Sequence, residues 1–306
     1  MLHYTSETKV LIQGITEPLG AAHSVLMKGY GTNIVAGVSP GCSQKKHHGI
    51  PLFDLVESAQ HAVGPIDLTI ICVHSYRALD AALEAIDAGI RQLIILTEGM
   101  PPLDMVYLLR KAEHDDTLIV GPSCPGIIVP GQVLLGTHPP QWYRPGSVGT
   151  IGRSSTLMYE VALTLTQAGL GQSIGVGIGS STIIGSSFPQ WLQILDEDEA
   201  TEAIVLVGEI GGESEEEAAQ YIAEAIDTPV VAYVAGQYAP KSRRLGHAGA
   251  IVASQLGSIQ TTDDLDFQLE TARRKIEAFQ KADIPVASCP SEIPQLLKKL
   301  AVGGRC

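Results

Sequence analysis

The run Val10-Leu11-Ile12, followed by Gly14-Ile15-Thr16-Glu17-Pro18-Leu19-Gly20, decides the fold. A short apolar run that stops at a glycine reads as a buried strand. A glycine turn between a first strand and a first helix places a ligand phosphate on the helix N-terminus, where backbone N–H groups are free. Pro18 suits the first helical turn, because its missing N–H costs nothing there. The spacing is not GxGxxG, so the turn alone is a weak signal. Glu17 faces the expected anion site and is unwelcome there unless its side chain turns outward.

The same order repeats along the chain. Ile34-Val35-Ala36, Leu68-Thr69-Ile70-Ile71-Cys72-Val73, Leu93-Ile94-Ile95-Leu96 and Leu118-Ile119-Val120 read as further buried strands. Helical patterns lie between them, such as residues 78–86, which end on Gly89. Strand and helix in alternation predict a parallel sheet covered on both faces. Residues 126–147 carry Pro130, Pro139, Pro140 and Pro145 with little periodicity, and read as a connector. A second series follows, with strands expected at 147–151, 173–178, 203–207, 230–234 and 249–253. Helices fit 155–168, 188–196, 213–226 and 291–300, and the highly charged stretch 262–281 reads as a solvated helix face. The chain is therefore expected to be α/β throughout: a first unit over 1–126, a connector over 127–146 and a second unit over 147–306.

Composition narrows the function. The formal net charge of -13 over 306 residues argues against a general nucleic-acid binder, which needs a basic face. An anionic small ligand remains compatible, since a basic pocket can sit in an acidic protein. The five cysteines are widely separated, with neither a CxxC pair nor zinc spacing, so a reduced protein and no metal site are expected. The first residues, with His3, Glu7 and Lys9, do not read as a secretory signal. No run approaches the roughly eighteen apolar residues of a membrane span. The expected location is the cytoplasm, or the mitochondrial matrix if a transit peptide has been removed.

Several turns carry candidate chemistry. The second strand ends on Ala36-Gly37-Val38 with no acidic residue for a ribose diol, which lowers the case for NAD. Ser39 to Gly49 then brings Lys45, Lys46, His47 and His48 to the sheet edge. These could accept a nucleotide 3′-phosphate, or form a mobile charged loop. Thr97-Glu98-Gly99 and Gly121-Pro122-Ser123-Cys124-Pro125 end later strands at the same edge. Cys124 lacks an evident base, which favours a structural cysteine over a nucleophile. Gly152-Arg153-Ser154-Ser155-Thr156 opens a helix, either as an anion site or as a simple cap. Glu209, in the glycine turn 208–212, can orient an imidazole and stabilise its charged form. The acid run 213–217 reads as an ordinary helix start. Arg243-Arg244-Leu245-Gly246-His247-Ala248-Gly249-Ala250 sets one histidine among small residues behind two arginines. That loop suits a histidine that meets phosphate, or a plain turn with a surface imidazole.

Taken together, residues 84–90, Gly121-Pro122, Cys124-Pro125-Gly126, 208–212 and 246–250 resemble the α subunit of succinyl-CoA synthetase along nearly the whole chain. The resemblance implies an N-terminal Rossmann-like CoA-binding domain followed by a flavodoxin-like ligase domain. It implies an acid–thiol ligase that interconverts acyl-CoA, phosphate and a nucleoside diphosphate with acid, CoA and the triphosphate. His247 would carry the phosphoryl group, Glu209 would orient it, and Ser154, Ser155 and Thr156 would cradle it. CoA would meet Gly14, Thr16, Leu19, Gly20, Pro40, Lys45, Lys46, Val73, Thr97 and Glu98. The acid would meet Ser123, Cys124 and Pro125. ATP or GTP, with Mg2+, would bind a partner β subunit of ATP-grasp fold in a hetero-oligomer.

Departures from the family pattern fall at Glu17-Pro18-Leu19, His74, Ser123, Ser155 and residues 180–185, and Gly41-Cys42-Ser43-Gln44 lacks the family's lysine. Lys45 or Lys46 would compensate for it. These changes leave malate or another short acid open, and they raise an alternative: a CoA-binding regulatory or assembly homologue without catalysis.

Overall fold

The computed structural model describes residues 4–42, 44–237 and 266–303. They form two compact units: the chain up to Pro140 together with Ile183–Ser186, and Gln141–Thr182 together with the chain from Ser187 onward.

The first unit is built on β1 (Val10–Gln13), β2 (Ile34–Val38), β3 (Lys46–His47), β4 (Ile50–Phe53), β5 (Leu68–Ile71), β6 (Gln92–Ile95) and β7 (Leu118–Val120). They lie in the order β3-β4-β2-β1-β5-β6-β7. All pairs are parallel except β3 against β4. Without the short β3, this is the order of a dinucleotide-binding sheet, whose two halves meet between β1 and β5. Leu11, Ile12, Leu68, Ile70 and Ile71 are wholly buried, as a sheet covered on both faces requires. Each such side chain contributes about 1.5–3 kcal/mol by leaving water. Helix α1 (Pro18–Tyr30) starts on its proline. It stops at Gly31, whose φ of 110° a residue with a Cβ adopts poorly.

The second unit holds β10 (Pro145–Gly152), β11 (Gln172–Gly177), β12 (Ala203–Gly208), β13 (Val230–Val234) and β14 (Val286–Ala287). They run parallel in the order β14-β13-β12-β10-β11. The first strand in sequence thus lies between the second and third, which is the flavodoxin-like order, with its switch point between β10 and β12.

Three expectations change. Residues 126–140 are not a structureless connector. β8 (Gly126–Val129) and β9 (Val133–Gly136) form an antiparallel hairpin that folds with the first unit. Thr32 Oγ1 donates to the Leu134 carbonyl at 2.7 Å, and the Gly131 N–H donates to the Tyr30 hydroxyl at 2.7 Å. The basic loop after β2 is not an open loop either, because Lys46–His47 pairs with Ile50–Pro51. The charged stretch forms a helix over Asp266–Lys281, yet it buries Ala272, Lys275 and Phe279 completely. The strand expected at 249–253 lies outside the described residues.

Candidate functional site

At the switch point of the first sheet the turn after β1 meets the end of β5. Gly14 has φ 81°, and a Cβ on it would lie 2.8 Å from Val73 Cγ1. A Cβ on Gly20 would lie 2.2 Å from the Gly14 carbonyl oxygen. The two glycines let turn, helix and strand end close on one another. Thr16 Oγ1 lies 2.6 Å from Ser39 Oγ, which ties the turns after β1 and β2 together. Buried Thr97 donates to the Val73 carbonyl at 2.8 Å. Glu17, at the N-cap of α1, makes no side-chain cap bond. Instead its carboxylate accepts from Arg77 Nη2 at 2.7 Å, so the charge that looked out of place has a partner. The donor set of hydroxyls, small residues and a helix start without a side-chain cap fits a phosphorylated ligand such as CoA.

The remaining candidates for that ligand are more dispersed. Leu19 is half-buried, while Pro40, Glu98, Lys45 and Lys46 are exposed. A cavity of about 220 Å³ is lined by Ser39, Cys42, Leu52, Phe53, Asp54 and Ser58. Gly14, Thr16, Gly20, Val73 and Thr97 thus come together at the switch point, and the two lysines stand apart on the β3–β4 hairpin.

Ser123 takes a left-handed φ of 56° and donates its N–H to the Thr97 carbonyl at 3.0 Å. The Cys124 thiol donates to the Ile95 carbonyl at 3.3 Å, and burial pushes its pKa up to about 12. A thiol held protonated in this way is a structural group, not a nucleophile. Pro125 is buried beside it.

The second switch point gathers Arg153 and Ser154 after β10 and Glu209 after β12. Gly152 and Val207 are register partners on the two strands. Ser154 stands at the N-cap of the helix Ser155–Gln167, but its hydroxyl takes none of the helix N–H groups. It lies 3.4 Å from Thr156 Oγ1 instead. The simple-cap alternative is therefore not what the side chain does. Ser155 is half-buried and Thr156 exposed. Glu209 and Arg153 are both buried, with Arg153 Nε 3.9 Å from Glu209 Oε1. Arg153 is held by the carbonyls of Gly179 at 3.2 Å and Ser181 at 2.6 Å. His247, Arg243 and Arg244 lie outside the described residues.

Two further groups at this site escaped the sequence reading. By sequence Glu215 belongs to an ordinary helix start and Lys275 to a solvated face, yet both are fully buried and paired. The signal lay in the spacing. Glu215, Ala218, Ala219 and Ile222 form the buried stripe of the helix Ser214–Ala225. Lys275 stands between Ala272 and Phe279 on the stripe of its own helix. A charge at a core position of a helical stripe asks for a partner at another such position.

Among the described residues, no group of three or more His, Cys, Asp or Glu could hold a metal ion. Among them also, no helix is long and apolar enough to cross a membrane.

A family model described as CoA binding domain matches residues 5–99, and one described as CoA-ligase matches residues 151–272. The α subunit 2 of an ADP-forming succinate–CoA ligase from Archaeoglobus fulgidus is 42% identical over 293 residues, covering 96% of this chain and 97% of that one. The α subunit from Aquifex aeolicus is 41% identical over 298 residues, covering 96% and 92%. Among solved structures, ATP citrate lyase from Methanosaeta concilii superposes with a TM-score of 0.82 at 23% identity. That match covers 97% of this chain and 50% of the lyase, so the chain spans about half of it. A dinucleotide-forming acetyl-coenzyme A synthetase from Ca. Korarchaeum cryptofilum gives 0.71 at 18% identity, covering 92% and 58%. The structural likenesses speak for the fold. The sequence matches cover 96% of this chain, and the chain belongs to the succinate–CoA ligase α-subunit family.

Proposed function

We propose that this chain is the α subunit of an ADP-forming succinate–CoA ligase. Phosphate attacks the thioester carbonyl of succinyl-CoA, the C–S bond breaks, and CoA leaves with succinyl phosphate remaining. A nitrogen of His247 then takes the phosphoryl group and succinate departs. Finally the phosphoryl group passes from His247 to ADP, giving ATP and free imidazole. The first unit holds CoA at Gly14, Thr16, Gly20, Val73 and Thr97, with Leu19, Pro40, Glu98 and the lysine pair Lys45 and Lys46 around it. Ser123, Cys124 and Pro125 line the place of the acid. The helix start at Ser154, Ser155 and Thr156 receives the phosphoryl oxygens on its N–H groups. Glu209 accepts a hydrogen bond from the imidazole of His247, which selects its tautomer and leaves the other nitrogen as nucleophile. ADP and Mg2+ bind a partner β subunit of ATP-grasp fold, since no GxxxxGK[ST] loop occurs here.

The observation that carries this reading is the buried pair of Glu209 and Arg153 at the switch point of the second sheet. A carboxylate and a guanidinium meet there beside a helix start whose cap serine leaves the N–H groups alone. The test is turnover by the chain purified with its β subunit. Succinyl-CoA should be consumed only when phosphate and ADP are both present, and faster than malyl-CoA or than the reaction with GDP. CoA binding without turnover of either thioester would favour the non-catalytic homologue.

A further inference from the structure

Among the described residues, the most deeply buried charges of the second unit are two that the proposed reaction does not use. Lys275 and Glu215 are both 0% exposed. The ammonium of Lys275 donates to three oxygens: Glu215 Oε2, the Glu209 carbonyl at 2.7 Å and the Gly211 carbonyl at 2.6 Å. The other carboxylate oxygen of Glu215 accepts the Glu209 N–H at 2.9 Å. Both backbone polar groups of Glu209 are therefore held by one ion pair, whose halves come from different helices.

Stability alone does not explain such a pair. Burying two charges costs more than packing apolar residues of similar size, so a buried pair is poor evidence for a stabilising device. What the pair does have is direction. Two of the three donors of Lys275 point at the 209–211 turn. It belongs to the glycine turn 208–212, where Gly211 and Gly212 take φ of 89° and 70° and leave the backbone with little of its own to fix it. We propose that Lys275, with Glu215 as its counter-ion, is a positioning residue that locks the turn so that the Glu209 carboxylate is aimed at His247. This rests on the role given to Glu209 above.

The test uses the chain in complex with its β subunit and γ-labelled ATP, reading the phosphorylation rate and the KM for ATP. The variants are Lys275→Met and the neutral double variant Glu215→Gln with Lys275→Met, which avoids a lone buried charge if the single variant folds poorly. The same double change is also made in a Glu209→Gln background. In the native background the double variant should phosphorylate roughly tenfold to a hundredfold more slowly, the effect of displacing a reacting group by about 1 Å, with KM for ATP unchanged. Amide exchange over residues 208–212 should quicken. In the Glu209→Gln background the same change should add less than about twofold, because the carboxylate it positions is already gone. Equal losses in both backgrounds, or a native rate in the double variant, would overturn the inference while leaving Glu209 its role. A native rate in Glu209→Gln itself would remove that role and this inference together.

Discussion

The Arg77 guanidinium donates to Glu17 Oε1 at 2.7 Å, joining the segment after β5 to the N-terminus of α1. Both side chains are partly exposed, so the pair adds at most about 1 kcal/mol to stability. Its effect is on charge at the ligand turn, where an unpaired carboxylate would repel phosphate. Arg77→Ala should leave Tm unchanged and weaken CoA binding by roughly three- to tenfold. The loss should shrink at high salt, and adding Glu17→Gln should reverse most of it. Titration calorimetry checks this, and unchanged affinity in Arg77→Ala would contradict it.

Gly20→Ala should destabilise the first unit, because the new Cβ would lie 2.2 Å from the backbone oxygen of Gly14. Overpacking against rigid backbone costs on the order of 1–3 kcal/mol or more. Gly29→Ala is the control. Its Cβ meets nothing within 4 Å, and a helical glycine replaced by alanine gains roughly 0.5–1 kcal/mol. Thermal unfolding should therefore move Tm in opposite directions for the two variants.

His138 is buried, with Nε2 3.0 Å from the Gly126 carbonyl, and burial lowers its pKa to about 4. In the unfolded chain it titrates near the ordinary 6.5, so between those values only the unfolded state binds the proton. Stability is thus fully present above about pH 6.5 and is lost as pH falls toward 4, by on the order of 3 kcal/mol. Denaturation of native protein and His138→Gln at pH 7 and pH 4.5 should show a smaller pH-dependent loss in the variant. Parallel curves would contradict the assignment.

Among the described cysteines, Cys289 should react first with iodoacetamide. It is exposed, and the hydrogen bond with the Ser291 hydroxyl heads the causes that lower its thiol pKa. Burial holds Cys72 and Cys124 up at about 12, so both should label only on unfolding. Peptide mapping of partly alkylated protein decides it, and early modification of Cys124 would restore the nucleophile reading.

The sheets were legible because parallel strands buried on both faces, such as Leu68–Ile71, are unbroken apolar runs. The two residues of Val286–Ala287 are too few to show a period, and that strand passed unseen. The hairpin over 126–136 was hidden by its glycines and prolines, which read as loop although Thr32 and Tyr30 fasten it. At the candidate site, Glu209 stood out because it follows a strand at a glycine turn, whereas the burial of Arg153 against it is visible only in the fold. Glu215 and Lys275 did not, because a charge in a charged helix looks solvated until its place on the buried stripe is counted. Pairing between distant helices is a tertiary fact, and the partner of Lys275 is 60 residues away.

The most direct test is phosphorylation of the chain, purified with its β subunit and given γ-labelled ATP and Mg2+. An acid-labile, base-stable label is expected, lost in His247→Asn and formed at least about tenfold more slowly in Glu209→Gln. The label should pass to added succinate as succinyl phosphate, and CoA should draw that release to completion by displacing the phosphate. No label on this chain, under conditions where the same β subunit phosphorylates the Aquifex aeolicus α subunit, would contradict it.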